Sequence, residues 1–173
     1  MKRNIWTLLI FALLFSNSIF AQDSKVESKG SPATPPPAAI QTLKFTMDAP
    51  TDDFILDESS NSYQWTEGNA MVQYLAMPGK YEDMSGSIEA SYSAPNMQLL
   101  FNEKRKYAGQ EGDLLKIRLK AEEGSGFDDF FFLVFLMPHE HGFIVLSASY
   151  PTKQDNDLYD KLLSAFDSFH EMK

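Results

Sequence analysis

Leu43, Phe45 and Met47 alternate with Lys44, Thr46 and Asp48, the period-two pattern of a half-buried strand, and Pro50 ends it. Ser62–Thr66 and Ala70–Met77 then read as two short strands joined by a Glu67-Gly68-Asn69 turn, a first hairpin. Between Pro78 and Asn96 the period changes: Tyr81, Met84, Ile88 and Tyr92 recur at helical spacing and predict a short amphipathic helix, against which Gly86 and several serines weigh. From Met97 the strand pattern returns. Leu115, Ile117, Leu119 and Ala121 alternate with Lys116, Arg118 and Lys120, which predicts a strand with one buried and one wet face. A Gly109-Gln110-Glu111-Gly112 turn folds it back on the segment ending at Tyr107.

Phe130–Met137 and Phe143–Tyr150 are apolar runs separated by the polar connection Pro138–Gly142. Neither approaches the roughly 20 residues a spanning helix requires, so the pair reads as a central hairpin apolar on both faces, in a sheet covered on both sides. In the last segment Leu158, Tyr159, Leu162, Leu163, Phe166 and Phe169 form one stripe. That stripe predicts an amphipathic C-terminal helix lying on the sheet, capped by Asp155 or Asn156, with Asp157 and Asp160 in a first turn where the helix dipole favours negative charge.

The N-terminus follows other rules. Lys2 and Arg3 precede a run from Ile5 to Phe15 that is apolar apart from Thr7, and Ala21 precedes a polar stretch. This is the layout of a secretory signal peptide over residues 1–21, cleaved after Ala21, and the run is too short to anchor the chain in a bilayer. Residues 22–40 include "SKVESKGSPATPPPAA", a Pro/Ser-rich composition with little to bury, and read as a disordered linker. Residues 41–173 suffice for a single domain. The expected location is extracytoplasmic, periplasmic or secreted, and the processed chain is not expected to be an integral membrane protein. Absence of cysteine rules out a lipoprotein anchor and disulfides, so stability must come from the hydrophobic core.

Net charge is −9, and it becomes −11 once Lys2 and Arg3 leave with the signal, 13 basic against 24 acidic residues. A field of that sign repels phosphate backbones and anionic lipid, so no nucleic acid is expected as a partner. Glu103, Lys104, Arg105 and Lys106 gather charge locally and read as a solvated sheet face of mixed sign.

Few residues suggest chemistry. His139, Glu140 and His141 in the Pro138–Gly142 connection can ligate a metal, but a stable site needs three or four ligands, and the third histidine, His170, lies at the end of the last helix. They read as exposed polar residues of a tight connection. Glu122, Glu123, Asp128 and Asp129 flank a Gly-rich loop without the alternating spacing of a calcium loop. There is no G-x-S-x-G, no G-x-x-x-x-G-K, no H-E-x-x-H and no cysteine nucleophile. Neither an enzyme nor a cofactor is expected.

Three stretches carry a family resemblance: "LKFTMDAPTDDF", "RKYAGQEGDLLKIRL" and "GFIVLSASYPTKQDNDLYDKLLSAFDSF". In order and pattern, over Leu43 to Phe169, the chain resembles PsbP-like domains, with an opening strand and proline, a Gly-turn strand pair, and a final strand, proline break and C-terminal helix. The resemblance implies an α+β domain with a central antiparallel sheet flanked by helices, a fold shared by photosystem II extrinsic proteins, a Ran-binding import factor and exported bacterial proteins. Such members bind or support partners and share no catalytic site, so no functional residue carries over. Phe54 stands where the family often has tryptophan, which argues against a photosynthetic role. The expected function is a noncatalytic accessory or binding module of the cell envelope with a protein partner. The alternative is a carrier of a small apolar ligand between sheet and helix.

Overall fold

The computed structural model describes residues 39–172 apart from residues 66, 93, 123 and 127. The signal peptide and most of the linker lie outside the described residues. Among the described residues nine strands, β1 (Phe45–Thr46), β2 (Phe54–Asp57), β3 (Ser62–Trp65), β4 (Ala70–Met77), β5 (Met97–Tyr107), β6 (Gln110–Leu119), β7 (Phe130–His139), β8 (Gly142–Pro151) and β9 (His170–Glu171), combine with helices α1 (Tyr81–Ser91) and α2 (Asp155–Ser168). The fold is α+β. Seven strands form one antiparallel sheet in the order β2-β3-β4-β8-β7-β6-β5, and β1 pairs with β9.

That order follows from one crossover. After β4 the chain crosses through α1 to the far edge, then returns by hairpins until β8 lies beside β4, with Met77 opposite Phe143 and Met71 opposite Ser149. The apolar hairpin β7–β8 is therefore central, and each of its faces meets a different cluster. Leu133, Phe135, Ile144, Leu146 and Tyr150 pack with Leu158, Leu162 and Phe166 of α2. Phe132, Val134, Leu136, Phe143 and Val145 pack with Ile88 and Tyr92 at α1. Period-two alternation sends neighbouring side chains to opposite faces, so a run apolar at every position needs a cover on both.

The first and last strands pair with each other. Only Phe45–Thr46 of the predicted opening strand is paired, to His170–Glu171, yet the alternation persists: Phe45 and Met47 are buried while Lys44 and Asp48 are exposed. The Tyr63 and Tyr74 hydroxyls donate to the Met47 and Phe45 carbonyls at 3.0 and 2.9 Å and hold this segment on the sheet. Packing begins earlier than expected, because a 3-10 turn at Ala39–Thr42 buries Ile40 completely.

Four local expectations are corrected. The β5–β6 turn is Ala108-Gly109, both at positive φ (52° and 73°), with Tyr107 opposite Gln110. This is the backbone of a two-residue hairpin whose twist matches the flanking strands. Gly112 lies instead within β6, where an added Cβ would strike the Leu136 carbonyl oxygen and the Phe135 ring. The β7–β8 turn is likewise two residues rather than five, since Pro138 and His139 pair with Phe143 and Gly142 in the strands. Pro138 lies beyond Leu136, the last β7 residue paired with β6, so its missing N–H interrupts no bond on that side. The expected wet face of β6 is wet only in part: Lys116 is buried against Asp155 and Tyr159 of α2, while Arg118 is partly exposed and Lys120 exposed. Finally, Asp155 does not cap α2: Gln154 occupies the cap position without a side-chain cap bond, and Asp155 serves Lys116.

Candidate functional site

The histidine pair sits at the tip of β7–β8. His139 is not the exposed loop residue its sequence position suggested: its side chain is 17% exposed and its ring meets Phe45 edge-on at 5.7 Å. Nδ1 accepts the His141 backbone N–H at 3.2 Å, and Nε2 lies 3.6 Å from Glu171 on β9. His139 thus helps hold the closure of β1 on β9. His141 and Glu140 are exposed, their side chains 3.4 Å apart, and the two imidazole rings are 5.8 Å apart. An open groove of about 350 Å³ runs past them, lined among others by Lys80, Glu82, His139 and His141. Among the described residues no group of three His, Asp or Glu side chains is placed to hold a metal ion. His170 sits on β9 with Nδ1 2.8 Å from the Ser168 carbonyl oxygen.

The acidic loop is drawn into ion pairs. Asp129 accepts from Arg118 at 2.6 and 3.0 Å and from the Ala121 N–H at 2.9 Å. That backbone bond, followed by Arg118, holds its carboxyl below the usual value. Asp128 pairs with Lys153 at 2.7 Å. Glu123 lies outside the described residues.

The Glu103–Lys106 run is a mixed-charge edge rather than a cationic surface: Arg105 pairs with Glu103 at 2.7 Å, and Lys104 reaches Asp113 at 2.7 Å. Asp113 is the centre of a cluster the sequence did not reveal. Tyr81 and Ser85, one helical turn apart on α1, both donate to its Oδ2, at 2.6 and 2.5 Å, and Lys104 also donates to the Tyr81 oxygen at 2.8 Å. Burial pushes the Asp113 carboxyl up, but the bonds from Lys104, Ser85 and Tyr81 outweigh it and hold the group below its usual value. The cluster ties α1 to β5 and β6.

A second cluster does the same for α2. Lys116 Nζ donates to both oxygens of Asp155, at 2.6 and 2.8 Å, between the rings of Phe131 and Tyr159 at 4.3 and 4.4 Å. The Tyr150 hydroxyl donates to the same carboxylate at 2.7 Å, and burial followed by that bond pushes its pKa far up. The strand period could have flagged Lys116 only if the second face had been known to be covered.

The seven-stranded sheet has two edges, β5 and β2, and the apolar one is β2. This strand was missed because Phe54-Ile55-Leu56 shows no alternation. Ile55 is 61% and Leu56 47% exposed, while Phe54 stacks on Trp65 at 6.1 Å. Two Ser hydroxyls on β8, Ser147 and Ser149, are buried without a hydrogen-bond partner among the described residues. Among the described residues no helix is long and apolar enough to cross a membrane.

These features define an α+β fold whose polar clusters fasten helices to strands and whose β2 edge is apolar. No family model matches the sequence, and no curated protein matches it. Among solved structures the chain is similar to LpqN of Mycobacterium tuberculosis, described as involved in cell envelope biogenesis: TM-score 0.55, 10% identity, 76% of this chain and 86% of that one. It is also similar to cyanobacterial PsbP from Synechocystis (TM-score 0.45, 17% identity, 83% and 98% covered) and to the Ran-binding protein Mog1p of Saccharomyces cerevisiae (0.41, 12%, 69% and 86%). The PsbP-like resemblance read from the sequence holds at the level of fold.

Proposed function

We propose that the chain is a noncatalytic exported module of the cell envelope that binds a protein partner. One observation carries this reading: the only strand with two adjacent, exposed, large apolar side chains, Ile55 and Leu56, is an edge strand with no neighbour on its outer side among the described residues. The buried and clustered polar groups are committed to holding the fold. Lys104, Tyr81 and Ser85 converge on Asp113, and Lys116 and Tyr150 on Asp155, each bond joining a helix to the sheet or strand to strand. The envelope role of LpqN and the signal-like N-terminus support the location. The position between α2 and the sheet, where a carried apolar ligand would lie, holds Leu158, Leu162 and Phe166 themselves.

Affinity purification of the tagged full chain from native envelope, with N-terminal sequencing of the recovered protein, tests the proposal. A stoichiometric protein partner and a chain beginning near Gln22 are expected. Recovery without any specific partner, or solely in the cytoplasm, overturns it.

A further inference from the structure

The two edges of the sheet differ in a way that bears on recognition. β5 is blunted: its ladder with β6 shifts register between Leu99 and Phe101, and it carries Glu103-Lys104-Arg105-Lys106. Bulges and charged runs of this kind prevent an edge from accepting another strand. β2 is short and among the described residues has only β3 beside it, with Ile55 exposed on one face and Leu56 on the other.

The segment of chain that contains β2 carries charge of one sign. Residues 45–79 contain six carboxylates, Asp48, Asp52, Asp53, Asp57, Glu58 and Glu67, and no Lys or Arg. Among the described residues none of the six is in an ion pair, in contrast to Glu103, Asp113, Asp128, Asp129 and Asp155. Asp52 and Asp53 stand at one end of β2, and Asp57 and Glu58 at the other. A second copy of this chain is a poor occupant, because pairing two such edges brings these carboxylates against one another, and opposed like charges destabilise a strand pair.

We propose that the free edge of β2 receives an extended segment of a partner protein as an added strand, apolar at its centre and carrying Lys or Arg at both ends. Main-chain bonds to the edge hold the segment, Ile55 and Leu56 contact its side chains on opposite faces, and the flanking carboxylates select its charge. From Asp53 to Glu58 the strand spans five residue steps, roughly 17 Å at about 3.3 Å per residue, so the basic ends lie five or six residues apart. This proposal rests on the binding-module reading and specifies its surface.

The test titrates the full chain into fluorescein-labelled Lys-Arg-Val-Ile-Val-Lys-Arg, followed by anisotropy, beside a counterpart with Glu at every Lys and Arg. Saturable binding of the basic peptide alone is expected, weakened by salt. Ile55→Ser should lower affinity about tenfold or more, the loss expected at a central contact. Asp52→Ser with Asp53→Ser should weaken binding and flatten its salt dependence, while Leu100→Ser at the other edge leaves it unchanged. All of these side chains are exposed, and unchanged unfolding midpoints confirm that the variants fold. Equal binding of both peptides, absence of binding at millimolar peptide, or full affinity in Ile55→Ser overturns the proposal. A dimer of the unliganded chain that Ile55→Ser dissolves assigns the edge to a second copy and overturns it as well. Envelope capture of the same partner by wild type and Ile55→Ser leaves the module reading standing and sinks the β2 edge alone.

Discussion

Lys116 and Asp155 form a two-pronged ion pair, Nζ to Oδ1 at 2.6 Å and to Oδ2 at 2.8 Å, at the point where the first turn of α2 meets the middle of β6. The ammonium side is 10% exposed and the carboxylate side 33%. A charge so placed is stabilised by its partner and by the flanking rings of Phe131 and Tyr159, but most of the attraction offsets the loss of hydration.

The first prediction follows from that imbalance. Asp155→Ala leaves the Lys116 ammonium buried and the Tyr150 hydroxyl without its acceptor, and it should destabilise the domain by about 2 to 3 kcal/mol, below the fully buried range because Asp155 meets solvent. Lys116→Met combined with Asp155→Leu should recover the part of that loss due to the unpaired ammonium, since apolar replacement of such a pair is often neutral, but not the part due to the Tyr150 hydroxyl, which still lacks its acceptor. Denaturant unfolding of the single and double variants measures both values. An additive double variant contradicts the coupling.

The second prediction concerns the docking of α2. Leu162 and Phe166 are fully buried, so truncation of either to alanine should leave a cavity and cost about 2 to 5 kcal/mol. Lys161 is exposed and should tolerate alanine within about 0.5 kcal/mol. Asp167, one residue beyond Phe166, accepts the Ala108 N–H at 3.0 Å and pins the tight β5–β6 turn. Asp167→Ala should therefore cost about 1 kcal/mol, the net worth of one such bond. Chemical denaturation of the four variants checks the order, and equal shifts in all of them would remove α2 from the sheet.

Those residues also show how far the sequence reached. The stripe from Leu158 to Phe169, the apolar β7–β8 pair and the β3–β4 hairpin were legible because periodicity reports which faces are covered. Lys116 was assigned to water because alternation tells which residues share a face, not whether a helix distant in sequence lies over it. Asp155 looked like a helix cap because its local role is visible in sequence and its partner 39 residues away is not. β2 escaped for a different reason: an edge strand with apolar residues on both faces has no alternation to detect. That lack of alternation is also what exposes Ile55 and Leu56 together. His139 was misplaced because the two-residue turn puts it in β7, under Phe45.

A third prediction uses that placement. His139→Ala should destabilise the closure of β1 on β9 by about 1 kcal/mol through loss of its edge-on contact with Phe45, whereas His141→Ala should stay within about 0.5 kcal/mol. Unfolding midpoints with and without zinc separate this from metal binding: a zinc-dependent gain in the wild type that His139→Ala abolishes would contradict it.

The last prediction concerns pH. Asp113 and Asp129 are held below their ordinary value in the folded state, the first because bonds from Lys104, Ser85 and Tyr81 outweigh its burial, the second chiefly through the Ala121 N–H and Arg118. Their unfolded forms therefore take up protons at higher pH than their folded forms. The stabilisation they supply is complete above the unfolded value near 3.8 and is lost as pH falls from there through the lower folded values. Unfolding midpoints should be flat with respect to these two groups above about pH 5 and fall steeply between about pH 4 and 2. Asp113→Asn keeps the shape of the side chain but cannot be titrated, so it should lower stability near neutrality and make the acid fall shallower. An acid profile identical in wild type and Asp113→Asn would mean that the bonds from Tyr81, Ser85 and Lys104 do not favour the ionised carboxylate, and the fastening of α1 to β5 and β6 would then need another cause.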